Sequence, residues 1–108
     1  MLYDPKWEQK TETTEPWRTI IWKAAALIEA NGLCKGRTID EENRHCMVGA
    51  INEIDTGDAC TLDRSQAGDQ ATTRLHRFCG GNLVDYNNRP ERTAEEVVAK
   101  MRACAGSQ

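Results

Sequence analysis

Long apolar runs are missing from this chain. No stretch approaches the ~18 consecutive apolar residues of a membrane-spanning helix, so no membrane partner is expected. Blocks of one charge are missing as well. The 14 Lys and Arg and 17 Asp and Glu residues are interleaved, giving a net charge of −3. Without a basic stripe, gripping a nucleic-acid backbone is disfavoured as the main task. The N-terminal stretch carries Asp4, Lys6, Glu8, Lys10, Glu12 and Glu15 and has no apolar core, so it does not read as a signal peptide and the expected compartment is the cytoplasm. No phosphate-cradling glycine motif is present, since Gly80-Gly81 alone is a helix stop. Internal repeats and low-complexity tracts are absent too.

Paired cysteine knuckles are a further absence. Cys34, Cys46, Cys60, Cys79 and Cys104 are widely spaced, odd in number and form no C-x-x-C pair. A reducing compartment would keep them as thiols. A buried free cysteine behaves as a small hydrophobe, the reading adopted for Cys46, Cys79 and Cys104. Cys34 stands beside Lys35 and Arg37 and reads as the exposed, reactive thiol.

What is present suits one small domain. The chain has 108 residues, 39% of them hydrophobic and 29% charged, enough for a single thin core. Residues 1–13 read as an extended N-terminal arm and residues 14–108 as a single helical domain. Thr14 and Pro16 suit a helix start, and Trp17, Ile20, Ile21, Ala24, Ala25, Leu27 and Ile28 follow at helical spacing up to a stop at Asn31-Gly32. The small-residue run Cys46-Met47-Val48-Gly49-Ala50-Ile51 predicts a central helix ending at Gly57, with a weak capping box at Thr38 and Glu41 that begins it early. A mid-helix glycine calls for a reason. Here the Gly49-Ala50 notch is expected to receive another helix or, alternatively, a ligand. A third helix is expected from Ser65, with Ala67, Ala71, Leu75, Phe78 and Cys79 on one side. Asn82 to Pro90 is expected to be an ordered loop with Leu83, Val84 and Tyr86 tucked inward. Thr93-Ala94-Glu95-Glu96 is a capping box opening a last helix, with Ala94, Val97, Val98, Met101, Cys104 and Ala105 facing inward. The expected fold is therefore all-α, a compact bundle of about four helices.

Two stretches resemble a known family: Cys46-Met47-Val48-Gly49-Ala50-Ile51, and Asp85 through Val97. With Ala24-Ala25 ahead of Gly32, they look like an uncharacterised small helical domain of actinobacteria and their phages. There a Cys-x-x-Gly-Ala-aliphatic run precedes a Trp-Asn-Asp-like loop and an Arg-Thr-x-x-Glu-Val helix. Tyr86 and Asn88 stand here where that family would carry Trp and Asp. The resemblance spans residues 17 to 105 and implies a helical domain of phage or bacterial origin, with no activity attached.

The chemistry on offer is sparse. His45, Cys46, His76 and Cys79 have the donor types of a zinc site but lack its ligand spacing, so neither a metal nor any other cofactor is expected. The acidic clusters Asp40-Glu41-Glu42 and Glu95-Glu96 sit where helices begin and are explained by the helix dipole. Two binding surfaces are candidates. Tyr3, Trp7, Trp17 and Trp22 gather the aromatics toward the N-terminal end, as an interface with another protein or a second copy would. Arg74, Arg77, Arg89 and Arg92, with Tyr86 and Asn87, would line an anion or nucleotide pocket if their segments meet. The leading expectation is a non-enzymatic accessory protein that binds a protein or itself, and the alternative is a small-ligand binder.

Overall fold

The computed structural model describes residues 15–107 as five helices: α1 (Pro16–Asn31), α2 (Met47–Thr56), α3 (Gln66–Phe78), α4 (Leu83–Asn88) and α5 (Ala94–Ala105). The expected arm, with Tyr3 and Trp7, and Thr14, expected to start the first helix, lie outside the described residues, and the N-cap of α1 is Glu15. Among those described there is no strand, only two isolated bridges that join His45 to Leu33 and to Ile39. No described helix is long and apolar enough to cross a membrane.

The helix that organises the molecule is α1, rather than the run at Cys46. Pro16 fits its first turn, where an amide donor would have no intrahelical acceptor. Trp17, Ile21, Ala24, Ala25 and Ile28 form its buried stripe, and α5, α2 and α3 all pack on it, α5 most extensively. Gly32 then stops the helix at φ 104°, with its amide on the Ile28 carbonyl. Met47 and Ile51 of α2, Leu75 of α3, Leu83 of α4, and Val97 and Met101 of α5 complete the core. Each such side chain contributes about 1.5–3 kcal/mol by leaving water.

α2 begins later than the sequence suggests. Cys46 is its N-cap, with the thiol sulfur accepting the Gly49 amide at 3.2 Å, and the Thr38-Glu41 box opens no helix. Asp40 organises that stretch instead, accepting the Glu42 and Arg44 amides on Oδ1 and Arg44 Nε on Oδ2. The Gly49 notch receives neither a helix nor a ligand. A β-carbon placed on Gly49 would stand 2.0 Å from the Thr38 carbonyl oxygen, so the notch is filled by backbone of the α1–α2 connection.

The remaining boundaries follow local chemistry. Gly57 closes α2 in the left-handed conformation, Ser65 caps α3 through the Gly68 amide, and Thr93 with Glu96 makes a complete capping box on α5. Residues 83–88, expected as a loop, form the short α4, capped by Asn82 through the Asp85 amide. Leu83 is buried as expected, whereas Val84 is half exposed. Phe78, expected in the core, is 38% exposed at the end of α3.

Candidate functional site

The α1–α2 connection is stitched to α4 by polar contacts, and Asn87 is their centre. Its carboxamide oxygen accepts the Met47 amide at 2.9 Å, and its nitrogen donates to the Cys34 carbonyl at 3.0 Å. Asn88 accepts the Gly36 amide at 3.0 Å, and Lys35 donates to the Arg89 carbonyl. Asn87 is fully buried in this work, so its amide is committed to holding the fold. A small cleft of about 180 Å³ lies alongside, between Gly36–Thr38, Cys46, Val48 and the α4 residues Val84, Asn87 and Asn88.

Four of the thiols are drawn away from reactivity. Cys34, expected to be exposed, is buried and donates to the Arg37 carbonyl at 3.1 Å. Burial pushes its pKa up to about 11 despite the cations nearby. The same cause lifts Cys79 to about 11 and raises Cys46 and Cys104. The exposed thiol is Cys60, with its sulfur 3.2 Å from the Thr38 hydroxyl. The four residues weighed as metal ligands are otherwise engaged or apart. His76 Nδ1 accepts the Leu83 amide, Cys79 ends α3, and His45 is buried with its Nε2 3.6 Å from Glu53. Among the described residues no group of three His, Cys, Asp or Glu side chains is placed to hold a metal ion.

The aromatics of α1 have opposite fates. Trp17 is only 2% exposed and belongs to the core. Arg18 and Arg74 stand against its ring, 4.4 and 4.8 Å from the centroid. Arg18 also donates to the carbonyls of Ala105 and Ser107, tying α1 to the end of α5. Trp22, by contrast, is 51% exposed. Arg102 of α5 braces it, with the guanidinium 5.1 Å from the ring centroid and both terminal nitrogens on Glu29, at 2.8 and 3.3 Å. A shallow hollow lined by Arg18, Thr19, Lys23, Ala105 and Gly106 includes Trp22 itself, and a second lies beyond Arg102, lined by Glu29, Ala94, Glu95, Val98 and Ala99. The bracing pair joins residues 73 positions apart, so no local sequence signal marks it.

Of the candidate anion pocket, the structure brings Arg92 and Tyr86 together. The Arg92 guanidinium lies 3.7 Å above the Tyr86 ring, and its Nε donates to the Tyr86 carbonyl at 3.1 Å. Arg74 is taken up at Trp17, Asn87 is buried under the connection, Arg89 is exposed and 3.8 Å from Glu91, and Arg77 is exposed near the end of α3. Two residues absent from the sequence-based set stand beside Arg92 and Tyr86. They are Phe78, and Lys100, whose ammonium is 5.6 Å from the Phe78 centroid and 5.9 Å from that of Tyr86. The signal for Lys100 was its place four residues after Glu96 on α5, but that spacing equally describes an ordinary solvated helix face.

No curated protein and no solved structure matches this chain. A family model does match, over residues 12–107, which takes in every described helix and all the clusters above. The chain therefore belongs to that family, described as a family of unknown function (DUF6197).

Proposed function

We propose that the domain is a non-enzymatic binding module whose partner is another protein or a second copy of itself, engaged through the Trp22 face. The observation that carries this reading is the braced exposure of Trp22. A large indole is left half in water on a rigid helix, and a bidentate Arg102–Glu29 pair holds its neighbour in place. Trp and Arg are the residue types that dominate binding energy at protein interfaces, and an anchor fixed beforehand loses little entropy on docking. The hollow that Trp22 lines, with Arg18, Thr19, Lys23 and Ala105, offers room for partner side chains. The same proposal places the protein in the cytoplasm of a bacterial or phage-infected cell, a reading supported by its interleaved charge and five free thiols.

The alternative, an arginine-lined anion pocket, is supported only in part, because Asn87 and Arg74 are occupied elsewhere. The test of the main reading is Trp22→Ala. Removing an exposed side chain should leave the melting temperature nearly unchanged. It should also abolish concentration-dependent association in sedimentation velocity, or a crosslink to a host protein that wild type forms. Identical sedimentation and identical crosslinking by the two proteins would overturn the proposal.

A further inference from the structure

The second cluster of rings and cations shares no lining residue with the hollow that includes Trp22. The end of α3, α4 and the outer face of α5 frame an open hollow of about 460 Å³, lined by Phe78, Tyr86, Arg92, Glu96 and Lys100 with Ala99 and Ala103 beneath. The alanines are what leave the room, since longer side chains there would fill it. Two features separate this hollow from ordinary surface. One ring, Phe78, is presented to solvent, while Tyr86 is partly buried with Arg92 over its face. Its cations are also under-committed. Lys100 makes no ion pair or hydrogen bond among the described residues, although it sits near both rings. Arg92 is aligned by the Tyr86 carbonyl through Nε, while its terminal nitrogen reaches Glu96 only at 3.9 Å. The Arg92 side chain is mostly buried, at 17% exposure, so only its outer edge is open to a better acceptor.

We propose that this hollow binds a small aromatic anion, a flat ring carrying a phosphate or carboxylate, of which a mononucleotide is one source and a simple aryl phosphate another. The ring of the ligand would stack on Phe78, beside the Tyr86 ring that Arg92 already covers. Its anionic group would bridge Lys100 and the outer face of Arg92, displacing the long contact to Glu96. Glu96 then sets a limit, because a single carboxylate at the rim disfavours ligands of high negative charge. The openness of the hollow implies modest affinity, since little of the ligand is enclosed. The proposal is independent of the Trp22 face.

The test is an amide NMR titration of the full chain with phenyl phosphate, adenosine monophosphate, adenosine and inorganic phosphate. The expected result is saturable shifts centred on Phe78, Tyr86, Arg92 and Lys100 with at least one of the two aromatic phosphates. Its Kd should be about tenfold or more below those of adenosine and inorganic phosphate, a difference of about 1.4 kcal/mol. Phenyl phosphate binding alone would make a simple aryl anion the occupant, and adenosine monophosphate binding alone a nucleotide. Lys100→Gln and Phe78→Ala, both at the surface, should each weaken that binding about fivefold or more while leaving the rest of the spectrum unchanged, and Trp22→Ala should leave it intact. The proposal fails if neither aromatic phosphate gives saturable shifts there, if inorganic phosphate binds as well as they do, or if both variants bind like wild type.

Discussion

Gly49 shows how one missing side chain can fix a connection. Its notch holds the Thr38 carbonyl, and the Cys46 amide donates to that same oxygen at 3.2 Å. Alanine is the better helix former by about 1 kcal/mol, so helix propensity alone would favour Gly49→Ala. The added methyl would instead meet backbone at 2.0 Å, and backbone cannot rotate aside. Gly49→Ala should therefore lower stability by about 2–4 kcal/mol in denaturant unfolding. Gly106→Ala is the control, because its new methyl comes no closer than 3.7 Å to the Arg102 carbonyl, and it should unfold much as wild type does. The need for a reason at Gly49 was readable from its place among apolar residues. The identity of what fills the notch was not, because Thr38 lies in a connection whose path depends on Asp40, His45 and Asn87 together.

At the scale of elements, helix ends are where local chemistry was most legible. Thr93 and Glu96 satisfy each other's backbone donors at 3.1 and 3.0 Å, an arrangement that needs only four consecutive residues. Thr93→Ala should reduce stability by about 1 kcal/mol in chemical denaturation, and Thr93→Ser should restore most of it. A result equal to wild type for alanine would mean that water replaces the cap without loss. The short α4 escaped the sequence reading because six residues give no periodicity, and Asn and Asp in such a stretch signal turns and caps alike. The late start of α2 has a similar origin. The Thr38 box matched a helix signal, but the chain there is held by the Asp40 turn and the bridges of His45.

At the scale of the whole molecule, burial of the thiols ties stability to alkaline pH. An ordinary thiol ionises near 9.0, while Cys34 and Cys79 in the folded state are pushed up to about 11. The folded protein thus holds protons that the unfolded chain has released between those values. Stability is fully present below about pH 9 and is lost as the pH rises toward 11. Melting temperatures followed across that range should fall, and Cys34→Ala, a truncation that opens a small cavity, should flatten the fall while lowering the plateau. A wild-type curve flat through pH 11 would show that these thiols are free to ionise in the fold.

The sequence by itself determined the helical class, the buried stripes of α1 and α5 and most helix ends, because each depends on neighbours three or four positions apart. Only tertiary packing decided that α1 is the hub, that Cys34 is buried and Phe78 exposed, and that Arg102 rather than the local chain braces Trp22. It also set Arg74 against Trp17, Arg92 against Tyr86, and Lys100 near both Phe78 and Tyr86. The reason is distance along the chain. Whether a ring or a thiol meets water, and which cation it meets, depends on segments tens of residues away, whose approach is set by how the core fills.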